Sequence, residues 1–196
     1  MALGDGRSLP ASMLAAEAGV AASTASHHLS RLVEGGLLTV VTRGRHRYFT
    51  LAGPQVAELL EAVARVAPAR PVTSLREGTR AHALRYARRC YDHLAGRLGV
   101  AVADALLVVR DESFEVTESG AAKLASVGVR AHIGDPARAC VDWTEQRPHV
   151  AGALGQTLLR RLLELEWLQR DPHMRAVRLT DAGRARLPAE LGVVIP

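Results

Sequence analysis

The chain has 196 residues, of which 48% are hydrophobic and 23% are charged, and its formal charge is +5. This composition excludes a disordered chain and is typical of a globular protein with one large domain or two small ones. No apolar run approaches the ~20 residues that span a bilayer, so we expect no membrane partner, and the basic balance favours a polyanionic one.

The first third of the chain has the pattern of short helices followed by a β-hairpin. Gly19 and Gly35-Gly36 end two amphipathic segments, and Gly44 supplies a turn between two apolar stretches. We predict helices over residues 10–18, about 22–34 and 54–66, and strands over about 37–42 and 46–51. Tyr48 and Phe49 alternate faces, so we expect one of them in the core.

Pro68 and Pro71 bracket a short linker, which predicts a boundary between a domain at 1–66 and a domain at 74–196. After the linker, the apolar spacing predicts a long Arg-rich helix over about 74–97 and an apolar helix over about 99–110. The Arg-rich helix either extends a phosphate-facing surface or is a solvated basic face. Further helices are expected over 118–127 and 150–165, the latter preceded by a loop at residues 147–149.

The C-terminal part contains an apparent internal repeat, at about 80–128 and 138–192. Both segments run from a Cys-containing stretch through paired leucines to a Thr-x-x-Gly element, at Thr117 and Thr180. The order of matches favours duplication over chance similarity. We therefore predict a mainly α fold with small β-hairpins: an N-terminal winged helix-turn-helix plus a C-terminal tandem winged-helix-like helical domain for sensing or dimerisation.

The second helix and the hairpin carry side chains suited to a DNA duplex. Hydroxyls and imidazoles can bond base edges or phosphates, Arg can pair with guanine, and an Arg-rich hairpin suits the adjacent backbone or minor groove. A solvated helix and a solvated hairpin are the alternatives. The candidate DNA-binding residues are Ser23, Thr24, Ser26, His27, Ser30 and Arg31 on the helix, and Arg43, Arg45, His46 and Arg47 on the hairpin.

Residues 3–66 resemble the ArsR/SmtB group of winged helix-turn-helix repressors. The resemblance rests on Ser26-His27-His28-Leu29, the following Gly36-Leu37-Leu38 and the basic hairpin at Arg43–Arg47. It implies a homodimeric transcription factor that binds pseudo-palindromic double-stranded DNA and releases it when an effector binds or a thiol is modified.

Three features depart from that family's pattern. Ala21 stands where the family usually has a capping Ser or Thr, which costs about 1 kcal/mol. Only Met1–Ser8 precede Leu9, where the family has one or two helices, so we expect either a truncated start or a core completed by helix 54–66 or by the partner chain. The family's metal motifs, Cys-x-Cys in the reading helix or paired Asp/His in the dimer helix, are absent, so the inducer is not implied.

The chain contains 2 cysteines and no recognisable secretory signal, which predicts reduced thiols in a cytoplasmic protein. Cys90 and His93 are three residues apart on a predicted helix and share a face. Cys140 and His149 hold matching places in the second repeat, with Asp92 and Asp142 alongside.

If the repeats pack about a pseudo-twofold axis, the two thiolates and two imidazoles converge into a set suited to zinc or a similar ion. Buried cysteines with His and Asp capping helices are the plainer interpretation, and the sequence alone favours it. A thiol switch that oxidises Cys90 and Cys140 to a disulfide is a third possibility.

Aromatic residues are scarce, and their grouping near the cysteines hints at a small-molecule effector pocket that includes Tyr91 and Trp143. Core packing explains these aromatics equally well.

We expect no enzymatic activity, because neither a nucleophile elbow nor a phosphate loop is visible. The alternatives to a DNA-binding regulator are a thiol enzyme that pairs Cys90 or Cys140 with His93 or His149, and a winged interaction module that does not bind DNA. The Arg-rich hairpin argues against the interaction module.

Overall fold

A computed structural model describes residues 2–4, 6–66 and 75–195 of the chain. It divides into two compact units, Met1–Ala67 and Pro68–Pro196. Within the described ranges, every helix is too short or too polar to cross a membrane.

The N-terminal unit is a helix-turn-helix followed by a β-hairpin and a further helix. Its elements are β1 (Leu9–Pro10), α1 (Ala11–Ala18), α2 (Ala22–Glu34), β2 (Leu38–Arg43), β3 (His46–Leu51) and α3 (Pro54–Val66). The strands form one antiparallel sheet in the order β1-β3-β2, with Leu9 and Val40 both opposite Phe49. The predicted helices and hairpin of this region are present within a residue or two of their expected ends.

A small apolar core holds these elements together. It consists of buried side chains from the N-terminal segment, both helices and the sheet: Leu3, Leu9, Leu14, Leu29, Leu38 and Phe49. Phe49 is the core member of the Tyr48–Phe49 pair, since Tyr48 is half-buried. The turn between α1 and α2 starts at Gly19, whose φ of 67° lies in the left-handed region that favours glycine.

The C-terminal unit alternates helices with short strands. Its elements are α4 (Leu75–Tyr86), β4 (Arg88–Cys90), β5 (His93–Ala95), α5 (Gly96–Leu106), β6 (Leu107–Arg110), β7 (Ser113–Val116), α6 (Glu118–Ser126), β8 (Pro136–Val141), β9 (Pro148–Val150), α7 (Gly152–Glu164), β10 (Leu168–Arg170), β11 (Val177–Leu179), α8 (Asp181–Arg186) and a π-helical turn (Leu187–Leu191). The strands β4 and β5 pair as a hairpin, as do β10 and β11, and β6-β7-β8-β9 form a curled four-stranded sheet.

Two helices of this unit begin in the same way. Thr117 caps α6 by accepting a hydrogen bond from the Gly120 amide, and Thr180 caps α8 by accepting one from the Gly183 amide. Each threonine also donates its hydroxyl proton to a preceding backbone carbonyl. The Thr-x-x-Gly elements therefore join a hairpin to a helix at two places in one unit.

The expectation of a mainly α fold is wrong, because the structure is 47% helix and 24% strand. The continuous helix over 74–97 is also wrong: helix α4 ends at Tyr86, and residues 88–95 form the β4–β5 hairpin. Tyr91 in the turn has a φ of 61°, which a helix does not allow.

Two smaller boundaries differ as well. Residues 107–110 of the expected apolar helix are strand β6, and Pro148–Val150 form strand β9 instead of a loop, paired with Ala139–Val141. In both places a short strand pairs with its neighbour in a hairpin, β6 with β7 and β9 with β8, and local helix propensity does not report this pairing.

Candidate nucleic-acid interface and Cys–His cluster

Helix α2 has one buried face and one polar face. Ala25 and Leu29 are buried against the core, and Val33 is half-buried beside them. The opposite side carries the predicted contact residues, of which Ser30 is half-buried and the others are exposed: Ser23, Thr24, Ser26, His27 and Arg31. His28 is exposed too, with its ring 5.8 Å from that of His27. The helix thus offers hydroxyl, imidazole and guanidinium groups to a ligand.

The tip of the β2–β3 hairpin is strongly cationic. The side chains around Gly44 are all exposed: Arg43, Arg45, His46 and Arg47. The Arg47 guanidinium lies 5.2 Å from the ring centre of Phe49, and that of Arg43 lies 6.0 Å from Tyr48. These contacts place the aliphatic parts of the two arginine side chains along aromatic rings, and the guanidinium charges remain accessible to solvent.

In the C-terminal unit, four side chains form what we call the Cys–His cluster: Cys90, His93, Cys140 and His149. Their potential ligand atoms all lie within 4.8 Å of one another, close enough for one metal ion. The cluster includes both predicted Cys/His pairs.

Hairpins, not helices, position the cluster. Cys90 lies directly opposite His93 in the β4–β5 pair, and Cys140 lies directly opposite His149 in the β8–β9 pair. The expectation that Cys90 and His93 share a helical face is therefore wrong. Residues directly opposite each other in an antiparallel pair lie close together, so each hairpin brings a thiol and an imidazole side by side.

The distances inside the cluster are short. The Cys90 and Cys140 sulfur atoms are 3.9 Å apart and are not joined in a disulfide. The His93 and His149 Nε2 atoms are 3.1 Å apart. Cys90 and both imidazoles are buried, and Cys140 is half-buried.

Each imidazole of the cluster faces a carboxylate through its other nitrogen. His93 Nδ1 is 2.7 Å from Asp92 Oδ1. His149 Nδ1 is 3.4 Å from Asp142 Oδ2, within ion-pairing distance although not aligned as a hydrogen bond. Asp92 also accepts a hydrogen bond from Gln156 of α7.

These contacts shift the pKa values of the first carboxylate–imidazole pair. Burial lowers the pKa of His93, but hydrogen bonds with Cys90 and Asp92 and the charges of those groups outweigh burial and raise it. Burial raises the pKa of Asp92, but hydrogen bonds from His93 and Gln156 bring it below its ordinary value. Both shifts favour the charged forms.

Asp142 connects the cluster to the surrounding backbone. Its Oδ1 accepts hydrogen bonds from Arg88 Nη2 at 2.9 Å and from the Thr144 hydroxyl at 2.7 Å, and its Oδ2 accepts one from the Gly96 amide at 2.7 Å. Burial raises the pKa of Asp142, but the Arg88 charge and these hydrogen bonds hold it well below its ordinary value. This carboxylate is therefore ionised and fixed in orientation.

The predicted effector residues lie near the cluster in sequence but differ in setting. Tyr91, at the β4–β5 turn, is half-exposed, whereas Trp143 is partly buried with its ring 5.1 Å from the Arg88 guanidinium carbon. An open cleft of about 790 Å³ lies elsewhere in this unit, between α7, β10 and α8, and neither aromatic residue lines it. The effector pocket stays a prediction.

Sequence reasoning missed Arg88 and Gln156, and noted Asp92 and Asp142 only as neighbours. Arg88 stands in the run Arg88-Arg89, which gave no reason to expect one buried and one half-exposed arginine. The equal Cys-x-Asp spacing at 90–92 and 140–142 was the available signal for the carboxylates.

A helix-turn-helix with a hydroxyl-rich second helix and a basic hairpin defines a protein of the DNA-binding class. Comparison with known proteins agrees: a helix-turn-helix domain family model matches residues 2–41. The chain is 42% identical over 205 aligned residues to the Bacillus subtilis (strain 168) protein named "Uncharacterized HTH-type transcriptional regulator YdfF", with 100% of this chain and 91% of that protein covered. The chain belongs to this family of HTH-type transcriptional regulators. No solved structure matched it.

Proposed function

We propose that this protein is a sequence-specific transcriptional repressor of the ArsR/SmtB type, which binds double-stranded DNA as a homodimer. The observation that carries this proposal is the exposure of both the polar face of α2 and the cationic tip of β2–β3 on one small unit. Residues 1–66 act as the DNA-binding domain and residues 74–196 as the sensing domain.

In the proposed complex, α2 enters the major groove and β2–β3 acts as a wing on the adjacent backbone or minor groove. Ser23, Thr24, Ser26 and His27 approach the duplex from the first turns of the helix, where free backbone amides also favour phosphate. Ser30 and Arg31 continue the same face, and the arginine can pair with a guanine edge. Arg43, Arg45, His46 and Arg47 supply the charge that holds the wing on phosphates.

Helix α3 supports the homodimer. Leu59 and Val63 lie one turn apart and are 56% and 53% exposed, which is unusual for large apolar side chains on an amphipathic helix. A second copy of the chain would cover this strip and place two reading helices for the two halves of a pseudo-palindromic site.

The C-terminal unit houses the event that releases DNA, with the Cys–His cluster as its centre. Either a bound ion or oxidation of the two thiols changes this cluster. The two segments at 80–128 and 138–192 are repeats of one unit, and two matching observations support this: the opposed Cys/His pairs and the Thr-capped helices.

A gel shift with the DNA upstream of the protein's own gene tests the DNA-binding proposal. We expect sequence-specific, salt-sensitive retardation by the wild type and loss of retardation by the Arg45→Ala/Arg47→Ala variant. The Arg110→Ala/Arg130→Ala variant is the control, because it removes the same charge from exposed positions in the other unit. Retained binding by the hairpin variant would refute the wing assignment.

A further inference from the structure

We propose that one divalent ion of the zinc class binds tetrahedrally to the four side chains of the cluster: Cys90, His93, Cys140 and His149. The inference deepens the proposed function by choosing the ion over thiol oxidation and naming its ligands. Its regulatory meaning rests on that proposed function, but the metal chemistry itself does not.

The distances fit the edges of a zinc tetrahedron. Zn–S bonds of about 2.3 Å imply a sulfur–sulfur edge of about 3.8 Å, and Zn–N bonds of about 2.0–2.1 Å imply a nitrogen–nitrogen edge of about 3.3 Å. The cluster has 3.9 Å between its sulfur atoms and 3.1 Å between its Nε2 atoms. These two edges agree with the tetrahedron to within a few tenths of an ångström, and all four ligand atoms lie within 4.8 Å of one another.

The orientation of the two imidazoles also suits a metal ion. Each ring turns its Nδ1 atom toward a carboxylate, Asp92 for His93 and Asp142 for His149, and both Nε2 atoms point into the cluster, 3.1 Å apart. A histidine whose Nδ1 faces a carboxylate presents Nε2 to a metal ion.

The two carboxylates have the position of outer partners in metal sites. A ligating histidine commonly donates its second ring N–H to a carboxylate, which fixes the ring and increases its basicity. Here each half of the unit supplies one Cys, one His and one such Asp. Asp142 is itself fixed by Arg88 and Gly96, so the arrangement extends one shell beyond the ligands.

Charge and ligand softness select the ion. Two thiolates and two neutral imidazoles neutralise a divalent cation, which suits a site where three of the four ligands are buried. Sulfur and imidazole nitrogen disfavour Mg²⁺ and Ca²⁺, which prefer oxygen ligands, and four-coordinate S₂N₂ geometry is typical of zinc.

A disulfide explains less of the geometry. It would require the sulfur atoms to approach to about 2.05 Å, and it would leave the opposed imidazoles without a role. Only the ion uses all four side chains.

The full-length protein, purified with a thiol reductant, is analysed for metal content and then reloaded with Co²⁺ in place of zinc. We expect one zinc per chain, and a cobalt form with the visible bands of tetrahedral Co²⁺ and a near-ultraviolet thiolate-to-cobalt band. Cys90→Ser and Cys140→Ser should each weaken the thiolate band. His132→Gln should not, although it also removes a histidine that is hydrogen-bonded to an aspartate in the same unit.

The Asp92→Asn variant removes the carboxylate charge behind His93. Chelator competition should show that the zinc affinity of this variant is reduced about 10–100-fold. Negligible zinc that neither Zn²⁺ nor Co²⁺ restores under reducing conditions would overturn the proposal. Octahedral cobalt bands without thiolate transfer, or equal loss in His132→Gln, would overturn it too. If a cysteine variant fails to fold, the cobalt spectrum of the wild-type protein still tests the proposal. Zinc binding without any DNA retardation would support this site and refute the proposed repressor. DNA retardation without zinc binding would refute this site and support the proposed repressor.

Discussion

Arg88 and Asp142 form an ion pair that is shielded from solvent, with 2.9 Å between Nη2 and Oδ1 and side-chain exposures of 1% and 0%. Arg88 begins the hairpin that carries Cys90, and Asp142 directly follows the strand that carries Cys140. The ion pair therefore holds the two hairpins that carry the Cys–His cluster against each other.

Replacing Arg88 with Met should destabilise the C-terminal unit by about 3–5 kcal/mol, because it leaves the Asp142 charge buried without its partner. Urea unfolding followed by tryptophan fluorescence measures this, since both tryptophans of the chain, Trp143 and Trp167, lie in that unit. Arg160→Met is the control: its ion pair with Glu164 is exposed to solvent, which screens the charges, so its loss should change stability little. Equal losses in the two variants would contradict the importance of the buried pair.

Alanine at Gly120 or Gly183 should destabilise the same unit. An added Cβ would overlap the carbonyl oxygen of Leu106 at the first site and that of Trp167 at the second. Overpacking of this kind costs about 1–3 kcal/mol. Thermal unfolding measures the loss, and Ser119→Ala, at the exposed neighbour of Gly120, should stay within about 0.5 kcal/mol of wild type. An unfolding temperature equal to that of the wild type in both glycine variants would show that the two backbone segments at each site move apart at little cost.

Serine at position 21 should stabilise α2. Ala21 already has the extended backbone of an N-cap, with φ of −62° and ψ of 149°, but no side-chain acceptor for the first amides. Supplying a hydroxyl should add about 0.5–2 kcal/mol, measured by hydrogen exchange of the α2 amides. Ala22→Ser places the same hydroxyl one residue later, inside the helix, and should bring no gain. Equal protection in both variants would argue against capping.

Arg31 and Arg45 should differ in how they affect DNA binding. Arg31→Ala should cost about 1–3 kcal/mol on the specific site and relax preference at one base pair, because we assign it to a base edge. Arg45→Ala should weaken binding to specific and scrambled duplexes alike and reduce the salt slope by about one unit. Titrations over a range of salt concentrations separate the two effects. If Arg31→Ala lowers both affinities equally, it contacts phosphate only.

If the protein is the proposed homodimer, glutamate at Leu59 or Val63 should convert it to a monomer, because the substitution would place a charge in the proposed α3 contact at a cost of several kcal/mol. Light scattering gives the molar mass, and DNA binding should weaken in parallel. Glu58→Lys changes the charge of the same helix at an exposed polar position and should leave the mass unchanged. A dimer that persists in both apolar-face variants would place the contact elsewhere.

The sequence was sufficient for the N-terminal unit because its signals are local. Gly19, Gly44 and the apolar spacing of Ala25 and Leu29 define the ends and faces of α2 and the hairpin, and the observed bounds of α2, Ala22–Glu34, are the expected ones. The candidate contact residues follow from that helix phase.

The C-terminal unit was harder because tertiary contacts support its short strands. Arg88–Cys90 reads as a continuation of an Arg-rich helix, but the buried pair with Asp142, 54 residues away, and the bridge between Arg88 and Ala176 favour a hairpin there. The repeat left convergence of the four Cys and His side chains open as one alternative, through a shared helical face, but the sequence favoured the plainer interpretation of buried cysteines. The carboxylates behind them depend on tertiary packing, which no local spacing encodes.

In each hairpin of the Cys–His cluster a turn separates the cysteine from the histidine, and the two turns differ greatly in length. Tyr91 and Asp92 alone join Cys90 to His93, whereas residues 141–148 lie between Cys140 and His149. Since strand pairing fixes both ends of the longer segment, its tip beyond Thr144 can gain or lose residues while the donor atoms keep their places. Natural and engineered insertions should therefore be tolerated in the segment after Thr144 but not between Cys90 and His93.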